Sequence, residues 1–314
     1  MDDRSTDGSL AMLQGFAETR GDVRIISLPE NPGPNHKQYA LSRGIAIAQG
    51  DLFLFTDADC EVPPSWIRAM RARMADERTG VVIGPVFKLP PGHDRGQSSP
   101  GKRFFQVYQC FDHAIRYMYL AASTGIGAAG GGFGNNLILR RETLDSIGGY
   151  GRLPPSPTED AALISQIRVL SKYRVCSACG ADVQVMTGGE NSWGALINQT
   201  LRWNNGGLFS PEFSTRLGFG FLMITISMGM LAIPLTLFIP SLWPLPVAVL
   251  LAMTMDTLAT LGIFGAALPK AGPAWVLHTV FTPLYFTFLT ILGFLGVSPS
   301  WKEPSLKEPS LKGR

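Results

Sequence analysis

The sequence predicts an α/β domain on a mostly parallel sheet, followed by about three apolar helices of membrane-spanning length. Three observations carry that expectation. Short β-rich runs alternate with helical patterns over residues 1 to about 190, the order that builds a parallel sheet. From Leu217 to Trp301 the only Asp, Glu, Lys or Arg residues are Asp256 and Lys270. Between the two, the apolar run FLFTDADC ends on Asp57 and Asp59. A carboxylate is costly to bury without a partner, so structure alone rarely asks for two at a strand end.

In chain order, VRIISL (Val23 to Leu28) and DLFLFT (Asp51 to Thr56) read as strands. KQYALSRGIAIAQG between them has helical spacing and a terminal glycine. VVIGPVF (Val81 to Phe87) is a further strand, and YRVCSACGADVQVMT (Tyr173 to Thr187) contains two more. The aromatic stretch from Phe104 to Tyr119 reads as a core or membrane-side helix. Leu217–Pro240, Leu242–Leu268 and Trp275–Val297 each exceed the ~20 apolar residues that cross a bilayer as a helix. The end, KEPSLKEPSLKGR, is polar and of low complexity, and reads as disordered. The expected organisation is a catalytic domain over 1–190, an interfacial segment over 191–215, membrane helices over 216–298 and a tail over 299–314.

Composition narrows the function classes. A net charge of +3 is too small to argue for nucleic acid and fits a mildly basic, membrane-facing surface. Four cysteines in 314 residues make no disulfide framework. Cys176 and Cys179 form one CxxC without a second pair or histidines, and read as two small buried residues rather than a metal site. Asp256 and His278 lie within the apolar spans and are candidates for hydrogen bonds between helices.

Four ordered motifs carry the chemistry: MDDRSTDGS at the start, DAD at Asp57–Asp59, TED at Thr158–Asp160 and QTLRW at Gln199–Trp203. With HKQYALSRGIAIAQGD before the DAD and GGGFGNNLILRRETLDSIGGY, a glycine-rich segment followed by a helix, before the TED, the chain resembles the membrane-bound family 2 glycosyltransferases. Cellulose synthase, hyaluronan synthase and ceramide glucosyltransferase are members. The resemblance covers about residues 1–210 and implies a GT-A-type, Rossmann-like catalytic domain. It implies inverting transfer of a sugar from a nucleoside-diphosphate donor, a UDP-sugar above others, to a membrane lipid acceptor, with Mg2+ or Mn2+ as cofactor. The location it implies is a multi-pass protein of the cell membrane with its catalytic domain in the cytoplasm.

Residue by residue, the resemblance makes Asp160 the catalytic base and sets Glu159 beside the acceptor. It makes Asp59 the metal ligand and gives donor contacts to Asp2, Asp3, Lys37 and Asp57. Gln199, Arg202 and Trp203 fall at the acceptor and diphosphate. The chemistry suits these residue types. A hard divalent cation takes oxygen ligands and neutralises a departing diphosphate, and a positioned carboxylate can take the acceptor hydroxyl's proton. Plain structural readings stand beside them. Asp57 and Asp59 also suit a turn before Pro63, and Asp2 and Asp3 a charged terminus. Lys37 suits an ordinary surface position. Glu159 and Asp160 suit the first turn of a helix after Pro157, where both readings hold at once. QTLRW suits an amphipathic helix at the headgroups.

Family members open with a strand, a proline-rich Asn-Glu turn and a helix ahead of the DD strand, whereas this sequence starts inside the DD motif. The expectation is an upstream start, or a truncated product lacking the first, central strand, with poor expression and weak donor binding. Three crossings from a cytoplasmic domain place Lys302, Lys307, Lys312 and Arg314 outside, against the positive-inside tendency, so one segment is re-entrant or interfacial, or the short tail tolerates it. The alternative functions are a processive polysaccharide synthase and an inactive, truncated membrane protein. A haloacid-dehalogenase-type phosphatase needs DxT or DxV, and Cys60 and Glu61 follow Asp59 instead.

Overall fold

The structure, a computed structural model, describes residues 1–30, 36–90, 100–154, 156, 158–269, 272–297 and 299. In chain order the elements are α1 (Ser9–Glu18), α2 (His36–Ile47), β1 (Leu52–Phe55), β2 (Cys60–Glu61), α3 (Trp66–Ala72), β3 (Thr79–Ile83), β4 (Val86–Lys88), α4 (Pro100–Gly125), β5 (Leu137–Arg140), α5 (Arg141–Ser146), α6 (Glu159–Leu170), β6 (Arg174–Ser177), β7 (Val185–Thr187), α7 (Trp193–Leu208), α8 (Phe213–Leu235), α9 (Pro244–Phe264) and α10 (Gly272–Phe294).

Two small mixed sheets result. The first runs β1-β5-β3-β6, with β5 antiparallel to both β1 and β3, and β3 parallel to β6. The second runs β2-β7-β4, antiparallel and then parallel. The mostly parallel sheet expected from sequence is therefore corrected. The cause is LILR at Leu137–Arg140, which sequence reading passes over as the join between a glycine-rich loop and a helix. It inserts as a central strand between β1 and β3.

Alternation along these strands builds a core on each face, as the period of two requires. Val81, Ile83, Leu137 and Leu139 face α4 and α6, meeting Phe111, Tyr117 and Ile164. Val82 and Ile138 face the other way, onto Trp66 and Met70 of α3. VVIGPVF proves to be two strands in two sheets. At the break, a side chain on Gly84 would meet the Asn136 amide 2.3 Å away, and Pro85 has no N–H to give. Asn136 clasps the break, donating to the carbonyls of Pro85 and Val183 and accepting from Trp66 Nε1.

VRIISL is the second correction. It forms only a single bridge, Asp2 to Ser27, closed by Asp2 N–H to Ile26 O and Leu28 N–H to Asp2 O. A strand needs a ladder, and this segment meets only one residue of extended backbone. Cys179 is the third: it is exposed, and Cys176 half-buried, because β6 ends at Ser177 and Cys179 sits beyond it, before Gly180 at φ +128°.

Beyond the sheets, two helices among the described residues are long and apolar enough to cross a membrane: Phe213–Leu235, and Pro240–Phe264, which joins α9 to the short 3-10 turn before it. The third expected span is held by α10, Gly272–Phe294, whose apolar part among the described residues is His278–Phe294. The expected tail falls almost wholly outside the described residues. The three helices pack on one another and against α4 and α7. Phe264 at the end of α9 meets Phe87 edge-on at 5.0 Å, so the helical layer reaches the core of the sheets. The aromatic stretch of α4 is core, with Phe105, Tyr108, Phe111 and Tyr117 all buried.

Candidate active site

Four chain segments bring their charges to one place. β1 stops at Phe55 and turns through Asp57 and Asp59, with Cys60 N–H closing the turn on Asp57 O. Lys37 stands in the first turn of α2, and Glu159 and Asp160 open α6. Lys37 Nζ lies 2.9 Å from Glu159 Oε1 and 3.3 Å from Asp57 Oδ1. Burial pulls the Lys37 ammonium down, but Glu159, Asp57 and Asp160 outweigh it and hold the group above the usual lysine range.

Asp160 sits behind that pair. Its Oδ2 accepts the Gly134 N–H at 2.8 Å, and its Oδ1 accepts the Ala161 N–H at 2.8 Å. A side chain on residue 134 would press to 3.2 Å from Asp160 Cβ, so glycine allows the loop its close approach. Burial, and then the charge of Glu159, push the Asp160 carboxyl up to about 6, against the opposing pull of Lys37 and the two amides. A carboxyl tuned towards neutrality beside a fixed cation can exchange a proton at physiological pH.

α7 supplies the opposite wall. Burial lowers Arg202, while the charges of Asp160, Glu159, Asp57 and Glu190 act to hold it up. Gln199 Nε2 donates to Glu190 Oε1 at 2.7 Å. Trp203 turns elsewhere, onto the seam with α4. It meets the His113 ring edge-on at 5.6 Å and carries the Arg116 guanidinium 5.3 Å from its own ring centre.

The remaining expected residues lie around this cluster. Asp59 is exposed, and Cys60 Sγ donates to its Oδ1 at 3.7 Å. Asp2 is buried, and its Oδ1 accepts the Ser5 N–H. Asp3 pairs with Arg4 at 3.1 Å and lies 3.8 Å from His36 Nδ1, next to Lys37 at the head of α2. Sequence reasoning passes over Lys88, Glu190 and Gly134. Lys88 leaves one signal, a lone cation in the apolar VFKLP, and Gly134 lies in the glycine-rich GGGFGNN segment, whereas Glu190 leaves none that spacing could reveal.

Residues 1–146 match the family model described as Glycosyl transferase family 2. A beta-monoglucosyldiacylglycerol synthase of Nostoc sp. is 24% identical over 207 residues, covering 66% of this chain and 41% of the relative. The enzyme of the same name from Trichormus variabilis matches to the same extent. The chain thus spans less than half the length of the curated relatives it matches. Among solved structures, a mannosyltransferase from Pyrobaculum calidifontis in complex with GDP-Man and Mn2+ aligns at a TM-score of 0.48 with 19% identity, over 93% of this chain and 76% of that one. Lys37, Asp57 and Asp59 all lie inside the matched residues, so the part of the chain that carries them is similar to glycosyl transferase family 2.

Proposed function

We propose that the chain moves a sugar, with inversion, from a UDP-sugar or similar nucleoside-diphosphate donor to a lipid acceptor at the cytoplasmic face of a cell membrane. The observation that carries this reading is Asp160: a half-buried carboxyl raised to about 6, fixed by two amides and set beside the Lys37–Glu159 pair. In the proposed step an acceptor hydroxyl gives its proton to the Asp160 carboxylate as its oxygen bonds the anomeric carbon. The bond from that carbon to the diphosphate breaks, and the nucleoside diphosphate leaves with the electron pair. Glu159, held by Lys37, orients the base. Asp2, Asp3, Lys37 and Asp57 serve the donor, and Gln199, Arg202 and Trp203 the acceptor and diphosphate side, Arg202 as a buried cation and Trp203 by bracing α7.

A divalent cation, Mg2+ or Mn2+, fits the site. The described residues contain no group of three His, Cys, Asp or Glu side chains placed to cage a metal. Such a cation needs only one or two carboxylates when substrate phosphates complete its shell. Asp59 is exposed and free of cationic partners among the described residues, so it would be the ligand, with Asp57 tied to Lys37 beside it. When bound, the cation would offset the charge of the diphosphate.

The membrane setting rests on the outward faces of the helical layer. Leu217, Phe221, Ile224, Met228, Leu231 and Leu235 are all exposed on α8 at helical spacing, as are Leu251, Met255 and Leu258 on α9 and Val280, Leu284, Phe288 and Ile291 on α10. Apolar patches of this extent mark a lipid-facing or partner-facing surface. The relatives' name, a glucosyldiacylglycerol synthase, supports a lipid as acceptor. The test is Asp160→Asn in a transfer assay with labelled donor and mixed lipid acceptors. Turnover should fall by ~10²–10⁴ while donor binding holds; retention of most turnover would remove Asp160 from the mechanism.

A further inference from the structure

A hollow of about 100 Å3 lies between the first turns of α4 and the loop after β7. At its floor is Lys88, only 6% exposed, whose Nζ donates to Gly188 O at 2.9 Å. An ammonium has three N–H donors, and that neutral carbonyl takes one. Among the described residues no carboxylate comes within ion-pair distance of Lys88. A buried cation with only a neutral partner is costly, and an anionic oxygen ligand would relieve it through charge-assisted hydrogen bonds. Burial pulls the Lys88 ammonium below its usual range, and Glu190 and Asp59 act to restore it.

The hollow is built rather than incidental. Gln109, buried at 2% exposure, grips the loop from both sides: its Oε1 accepts the Glu190 N–H at 2.7 Å, and its Nε2 donates to Glu190 O at 3.1 Å. The Glu190 carboxylate, tied to Gln199, acts on both Lys88 and Arg202, and Arg202 in turn feels Asp160. Glu190 thus links the polar end of the hollow electrostatically to Arg202 of α7. At its other end the Phe105 ring lies 4.8 Å from Trp193, and Trp193 lies 5.8 Å from Phe281 of α10. A lining that sets Lys88, Gln109 and Glu190 against Phe105 and Leu89, with Trp193 and Phe281 packed behind Phe105, suits a molecule that is polar at one end and apolar at the other.

We propose that this hollow receives the headgroup of the lipid acceptor and that Lys88 selects a headgroup carrying a phosphate. The role as acceptor site rests on the transferase reading above; the selection by Lys88 rests on the hollow itself.

The test is calorimetry on the full chain in neutral detergent, titrated with dioctanoyl phosphatidylglycerol, dioctanoylglycerol and inorganic phosphate, with UDP-glucose plus Mn2+ titrated in parallel. The parent should bind the phosphatidylglycerol at least tenfold more tightly than the neutral lipid. Lys88→Gln should erase that difference, Lys88→Arg should keep most of it, and UDP-glucose binding should be unchanged in both. Equal affinity for the two lipids in the parent overturns the proposal, as does discrimination that survives in Lys88→Gln. Inorganic phosphate binding as tightly as the lipid, and through Lys88, would assign the hollow to free phosphate and overturn the lipid. The two readings fail separately. A parent that binds no UDP-glucose contradicts transfer, whereas one that binds it and does not discriminate between lipids contradicts the assignment of the hollow.

Discussion

At the scale of single residues, the proton of Asp160 decides the pH behaviour. In the proposed mechanism the Asp160 carboxylate is the active form, so kcat/KM should rise with pH and level off above about 6. Lys37 is the cation that opposes the rise in this group. Lys37→Met should therefore move the acidic limb upward, by roughly one unit, in a pH–rate profile. An unmoved limb would show that the titrating group is not Asp160. Stability runs the other way. Folding raises this carboxyl above its ordinary range, so the protonated form favours the folded state. That contribution is complete at low pH and is lost as pH rises through about 6. Asp160→Asn should flatten this dependence in thermal melts between pH 4 and 7. Asp59→Ala should lose donor affinity mainly when Mn2+ is present; a variant whose affinity still rises with metal like the parent's would exclude Asp59 as ligand.

Legibility differs among these residues for a physical reason. Asp57 and Asp59 announce themselves because two carboxylates at the end of an apolar run conflict with local structure. Asp160 is visible only through the resemblance, since an acidic first helical turn is also ordinary capping chemistry. Lys88 and Glu190 are brought together by the pairing of β4 with β7, about 100 residues apart in sequence. No local pattern encodes that contact.

At the scale of elements, α4 ties the helical layer to α7. The Asp112 carboxylate takes Arg116 Nε at 2.7 Å and an Nη at 3.2 Å; Asp112 is buried and Arg116 half-buried. The guanidinium then lies between two rings, 5.3 Å from Trp203 of α7 and 4.9 Å from Phe286 of α10. Removing one partner of a buried pair strands the other charge, which costs ~3–5 kcal/mol. Asp112→Leu should lower the melting temperature by several degrees and weaken the contact of α7 with α10. A melting temperature equal to the parent's would show that the pair is not holding these helices. The elements themselves were unevenly legible. Long helices with a clear period, α2 and α4 among them, follow from spacing alone. The four-residue LILR does not, because so short an apolar run fits a strand or a buried helical turn equally well until its neighbours are known. VRIISL fails for the opposite reason: its composition suits a strand, but only Asp2 is there to pair with it.

At the scale of the whole molecule, an α/β layer adjoins helices whose outward faces are apolar. If α8 and α9 span a bilayer, the chain should stay with membranes through an alkaline carbonate wash and leave them only in detergent. Release into the carbonate supernatant would contradict the spanning reading. The catalytic layer nevertheless has to recognise a donor, and this separates an enzyme from a membrane scaffold of the same family. The most direct measurement is calorimetry of UDP-sugar binding to the detergent-solubilised 314-residue chain, with and without Mn2+ and with Asp59→Ala beside it. The account predicts saturable binding that Mn2+ strengthens at least tenfold in the parent and does not strengthen in the variant. A parent chain that binds no nucleotide-sugar, or binds it equally with and without metal, would contradict it.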